Sequence, residues 1–266
     1  MGTEVETGEV SALALQRKCA VTPQSHGGLY WQSPTSYLHA TQRGLVPLSL
    51  AEVLPAAAWL PIVFVRAGSA PAPAALIGKT DNEGSPFVSP KGQFRAGFVP
   101  LMIRAHPFSI AEFEGQAVLV TDPTSGHITS ESTGHAFYQA DGTLSAETAR
   151  VSQALSIWAK DRILAIRATQ ALDEAGLIEW DAKSGFGTIR LTELRAGDLG
   201  EAAKLQELRA FEVAYGQSIS QAHAIKLDAK SRPAIPKPLS SNDEAEALLD
   251  LFSGALIDDD ALQDLL

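Results

Sequence analysis

Short apolar runs cut by proline and glycine fill the first half of the chain, and a helical period replaces them near residue 145. Leu45-Val46-Pro47-Leu48, Leu60-Pro61-Ile62-Val63-Phe64-Val65 and Ala75-Leu76-Ile77-Gly78 have strand length and end on turn formers, the pattern of strands joined by short connections. Val118-Leu119-Val120 predicts another strand, closed by the turn Asp122-Pro123. The run Phe98-Val99-Pro100-Leu101-Met102-Ile103-Arg104-Ala105-His106-Pro107-Phe108 predicts a short buried strand that stops at a proline turn. Residues 50–59 are amphipathic and predict one or two helical turns before Pro61. Residues 69–74, with Pro71 and Pro73, and residues 80–84 predict loops.

Between Gly126 and Gly142 the chain is polar and irregular. Over residues 145–175, Leu155, Trp158, Ile163, Ile166 and Leu172 recur at helical spacing, and Gly176 sits where a helix-ending glycine belongs. A strand follows the Ser184-Gly185 turn over 186–191. A second helix is expected over 198–214, with Leu199, Leu205 and Leu208 on one face, and a third over 218–227. Strands first and helices later predict an α+β fold, a mainly antiparallel sheet from the N-terminal half packed with helices from the C-terminal half. The expected organisation is a frayed N-terminus over 1–12, one α+β domain over 13–228, a Pro-rich linker over 229–240 and an acidic amphipathic tail helix over 241–266.

That tail changes the picture most. It holds Asp243, Glu244, Glu246, Asp250, Asp258, Asp259, Asp260 and Asp264 and no Lys or Arg, in a chain of 266 residues with a formal net charge of −10. Leu248, Leu249, Phe252 and Leu256 fall on one helical face, and Leu262, Leu265 and Leu266 form a second patch. A tethered helix of this kind has no core of its own to bury that stripe, so these residues predict a partner-docking segment. Charge would steer it toward a basic groove.

The acidic balance, with a pI near 5.1, argues against nucleic acid and against anionic membrane surfaces as partners. No apolar run approaches the length of a membrane helix, so no membrane insertion is expected. A single cysteine, Cys19, excludes an intramolecular disulfide and a thiolate cluster. The acidic opening Met1-Gly2-Thr3-Glu4-Val5-Glu6 lacks a secretory signal. Synthesis in the cytoplasm is therefore expected, with a cell surface or a virion-like assembly as candidate final sites.

His106, Asp122, His127, His135 and Asp141 are the densest group of potential ligands or acid–base residues. Their spacing matches no metal motif, and no metal, cofactor or catalytic residue is assigned. Arg104, set in an apolar run, needs a carboxylate partner if buried; Glu112 and Asp122 are candidates. Its planar fork also suits an anion, which makes Arg104 and His106 the candidate ligand-binding pair. His26, Tyr30, Trp31, Tyr37 and His39 form an aromatic cluster that either packs a core or builds a sugar or peptide platform.

The Leu60–Phe64 run, Ala75–Gly78, the Phe98–Phe108 block, Ala136-Phe137 with Asp141-Gly142, and Thr169 to Leu177 occur in an order that resembles the SapC family of bacterial proteins, named for a surface-layer-associated protein. The resemblance spans roughly Leu45 to Leu227. It implies association with a cell-surface layer or its export, and no defined reaction. The expected function is therefore a non-catalytic structural or interaction protein of a surface layer, shell or export assembly, docking a protein partner through its tail; a homo-oligomer fits the same picture. The alternative is an enzyme or small-ligand protein using the Arg104/His106 region.

Overall fold

A computed structural model describes residues 18–41, 43–67, 70–78, 85–113, 116–189 and 210–227. Three antiparallel sheets carry the N-terminal half. One has the order β1 (Cys19–Ala20), β7 (Gln116–Thr121), β6 (Phe108–Phe113). The largest runs β10 (Ile178–Trp180), β11 (Gly187–Ile189), β4 (Ile62–Ala67), β5 (Ala70–Leu76), β3 (Leu45–Pro47). A third pairs β2 (Tyr30–Trp31) with β8 (Ile128–Thr129) on one side and β9 (His135–Ala136) on the other. The helices are α1 (Pro23–His26), α2 (Leu50–Ala57), α3 (Leu101–Arg104), α4 (Ala146–Glu174) and α5 (Ala210–Leu227). Helix α4 lies along β5, and α5 packs on α2 and α4. The protein is thus an α+β fold, its antiparallel sheets packed with the later helices.

Local chemistry sets the long helix. The Ser145 hydroxyl accepts from Thr148 N at 3.2 Å at its start. At its end Gly176 takes φ +71°, Leu177 N donates to Leu172 O at 2.9 Å and Gly176 N to Asp173 O at 2.9 Å, the pair of bonds that closes a Schellman cap. At 1.5 Å per residue, α4 is about 43 Å long. Its buried stripe departs from the expected one. Leu155, Trp158 and Leu172 are buried, but Ile163 is 52% exposed, and Ala165, Ala168 and Ala171 take the inner face. Small side chains there let β5 and α5 approach closely.

Strand β5 corrects the expected loop at 69–74. Pro71 and Pro73 lie within it, opposite Arg66 and Phe64 of β4. In an antiparallel strand a residue's N–H and C=O face the same side. Pro73 O accepts from Leu48 N at 3.2 Å and from Arg162 Nη1 at 2.6 Å, away from β4. The missing proline N–H groups therefore face the side where β3 has ended, and no β4 ladder bond is lost.

Two further corrections concern helices. The predicted strand over 98–108 is instead the single turn α3, entered through Pro100, whose φ of −55° and ψ of 144° place it at the N-cap position. Strand begins only at Phe108, after the cis His106–Pro107 bond. The break predicted between 214 and 218 is absent, and α5 runs through it. Gly216 serves contact there: a Cβ on it would sit 2.5 Å from Val53 Cγ1 of α2. The polar 126–142 segment, expected to be irregular, contributes β8 and β9. Residues 198–209 and the tail residues Leu248, Leu249, Phe252, Leu256, Leu262, Leu265 and Leu266 lie outside the described residues.

Buried polar side chains stitch these pieces together. Glu52, 1% exposed, accepts from Ser49 N at 3.1 Å, from Trp158 Nε1 at 2.6 Å and from Leu101 N at 2.7 Å. One carboxylate thereby ties the start of α2 to α4 and fixes the first residue of α3. Gln217 accepts from Ile189 N at 3.1 Å and donates to Ile62 O at 3.4 Å, bridging β11 and β4. Ser220 accepts from Ile62 N at 2.6 Å and donates to Leu60 O at 2.9 Å. Each satisfies main-chain groups that burial would otherwise leave without water.

Candidate functional site

One end of the β1-β7-β6 sheet collects the chain's polar chemistry. The register pairs Cys19 with Thr121 and Phe108 with Thr121. One residue further, Lys18 and Pro107 therefore flank Asp122, and Asp122 N reaches Pro107 O at 3.4 Å. His106 comes next. Its ring stacks on His39 with centroids 4.1 Å apart and planes at 12°, and the His127 ring meets it edge-on at 5.1 Å. Arg43 closes the corner from the loop after Leu38–Ala40, donating Nη1 to Met102 O at 3.3 Å. Strand register and the α3 turn together bring four distant segments to one place.

Electrostatics follow from partial burial. The His106 imidazole is pushed down to about 3, first by desolvation, then by His39, His127 and Arg43, against the pull of Asp122. Burial likewise lowers His39 and Lys18, and lowers Arg43 below its usual value. The imidazoles of His39 and His106 are thus neutral near physiological pH. Neutral His39 has one N–H to give, and its shorter contact, Nε2 to Ile103 O at 3.0 Å, takes it. Asp122 Oδ1 accepts from Thr124 N at 2.8 Å and Thr124 Oγ1 at 2.6 Å, an Asx turn that fixes the carboxylate.

The five residues grouped by sequence divide. His106, Asp122 and His127 meet at this corner. His135 packs against Trp31 with centroids 4.8 Å apart and planes at 43°, and Asp141 accepts from Thr143 N and Oγ1 in a turn of its own. Among the described residues no group of three or more His, Cys, Asp or Glu is arranged to hold a metal ion. The Arg104 charge favours the ionised form of Glu52. Lys18 and Arg43 join the corner without any sequence signal, and His39 joins it from the aromatic group. They lie between 63 and 88 positions from His106, and only strand pairing and the α3 turn bring them there.

The aromatic cluster resolves into packing. Trp31 is 5% exposed, meets Phe108 edge-on at 4.9 Å and donates Nε1 to Thr148 Oγ1 at 2.9 Å. His26 packs on Phe137 at 4.7 Å and bonds Thr121 Oγ1 at 3.0 Å. Tyr37 meets Phe94 edge-on at 5.7 Å. These rings form the floor under the corner.

The family model of SapC matches residues 21–225. The chain belongs to the SapC family. The match runs from α1 into the last turn of α5 and takes in every residue of the corner except Lys18. No curated protein and no solved structure matches this SapC chain. Among its described residues no helix is long and apolar enough to cross a membrane.

Proposed function

We propose that this SapC-family chain is a non-catalytic structural or interaction protein of a surface layer, shell or export assembly, docking a protein partner through its acidic tail. The observation that carries the reading is the composition after residue 240: eight carboxylates, no cation, and the apolar positions Leu248, Leu249, Phe252, Leu256, Leu262, Leu265 and Leu266. A tail that only solubilises needs charge and not those large apolar groups. The body offers support of another kind, since Glu52, Arg162, Gln217 and Ser220 spend their polar atoms on main-chain groups and packing.

The test is affinity purification of the full-length protein from its native source, beside a form ending at Ser240. The expected result is a stoichiometric layer, shell or export component on the full-length bait and its loss from the truncated one, with unchanged circular dichroism. Equal retention by both forms refutes the tail as the docking element.

A further inference from the structure

Among the described residues, the corner at the end of the β1-β7-β6 sheet sets two cations, Lys18 and Arg43, against one carboxylate. Lys18 and Arg43 are both partly buried, and one carboxylate, Asp122, faces the pair. Among the described residues, neither cation has a carboxylate oxygen within ion-pairing distance; the pair that does is Arg66 with Asp173, at 3.9 Å. Arg43 spends one N–H on Met102 O. A guanidinium has five N–H groups, and its other donors have no acceptor among the described residues. In a chain of net charge −10, two partly desolvated cations sharing one fixed acid form, among the described residues, a site short of negative charge.

We propose that this corner binds a phosphate-type oxyanion, held by the Arg43 guanidinium and the Lys18 ammonium, with the His106 and His127 rings as further hydrogen-bond donors. The chemistry matches in three ways. The guanidinium fork fits two oxygens of a tetrahedral anion, and the ammonium adds a point charge. The His106 and His127 rings touch other rings, but their nitrogens make no hydrogen bond among the described residues. Each therefore keeps an N–H for a third or fourth oxygen. His39 gives its N–H to Ile103 O and serves as the wall on which His106 stacks. Asp122 sets the limit: it offsets one cation, so a doubly charged monoester or hydrogen phosphate suits the remaining field better than a neutral ligand.

The experiment titrates inorganic phosphate, and separately phosphoserine, into the full-length protein near neutral pH. Imidazole signals are followed by long-range proton–nitrogen NMR and affinity by calorimetry. Saturable shifts of the His106 and His127 signals are expected, while His135, outside the corner, stays still. Arg43→Gln should weaken binding about tenfold or more, Lys18→Gln should weaken it less, and Arg66→Gln should leave it unchanged. Phosphoserine binding tighter than phosphate assigns the monoester as the source, and the reverse assigns the free ion. Should Arg43→Gln fail to fold, Lys18→Gln and the wild-type titration still decide. The proposal is overturned if phosphate and phosphoserine leave the His106 and His127 signals unmoved, or if foldable corner variants bind as wild type does.

Discussion

Replacing Glu52 with Gln changes one atom in a fully buried hub, and the hydrogen-bond geometry sets the cost. Oε2 accepts from Ser49 N and Trp158 Nε1, while Oε1 accepts from Leu101 N. A glutamine keeps the shape but has only one acceptor oxygen. Placed toward Ser49 and Trp158, it turns its NH2 against Leu101 N, donor facing donor. Placed the other way, it strands two donors. The first arrangement is cheaper and leaves one buried N–H unsatisfied, at about 1–3 kcal/mol. Weaker neutral bonds to the other two donors add about 1 kcal/mol. Relief from burying a charge acts in the opposite direction. The net expectation is a loss of about 2 kcal/mol for Glu52→Gln, and a larger loss for Glu52→Ala, which orphans all three donors and opens a cavity.

Urea unfolding followed by far-UV circular dichroism measures this, because Trp158 is a partner and its fluorescence would change for local reasons. With a slope of about 2 kcal/mol per molar, the midpoint should fall by about 1 M. Burial raises the Glu52 carboxyl above the ordinary carboxylate range, against the pull of its three donors and Arg104. A raised native value means that the group's contribution is complete below the unfolded value and is lost as pH rises through the native one. The stability gap between wild type and Glu52→Gln should therefore narrow as pH rises through that window. A Glu52→Gln protein as stable as wild type, with a gap that widens toward alkaline pH, would refute the hub reasoning.

Gly216→Ala gains about 1 kcal/mol of helix propensity but puts a methyl 2.5 Å from buried Val53 Cγ1. Overpacking at about 1–3 kcal/mol should win, so the melting temperature should fall; a rise would show that α2 and α5 separate freely. His106, with its native value near 3, contributes stability that is complete above its ordinary 6.5 and is lost as pH falls toward 3. The groups facing it are His39, His127, Arg43 and Asp122. His106→Asn should flatten the acid limb of a urea-midpoint profile between those values, and an unchanged slope would place the acid sensitivity in other groups.

Much of the fold was legible because its determinants are local. The α4 caps at Ser145 and Gly176 act within one turn, and the apolar runs at 62–65 and 118–120 have strand length and β-branched composition. The misreadings share one cause, since proline and glycine carry opposite meanings depending on what lies beside them. Pro71 and Pro73 look like loop residues until β3 is seen to end before reaching them. Gly216 looks like a break until Val53 is seen against it. Pro100 and Pro107 bracket an apolar run that hydrophobicity alone cannot sort into strand or helical turn.

The corner shows the same division. Residue type flagged His106, Asp122 and His127 as chemistry, and the sequence by itself also determined the class, the antiparallel and helical halves, and the acidic apolar tail. Tertiary structure alone sent His135 to Trp31 and brought Lys18, His39 and Arg43 to the corner. Those outcomes depend on the register of β1 on β7 and β7 on β6, and on the turn that α3 makes before β6. Caps and periodicity are written within a few residues, whereas electrostatic neighbours are chosen by strand pairing across about a hundred.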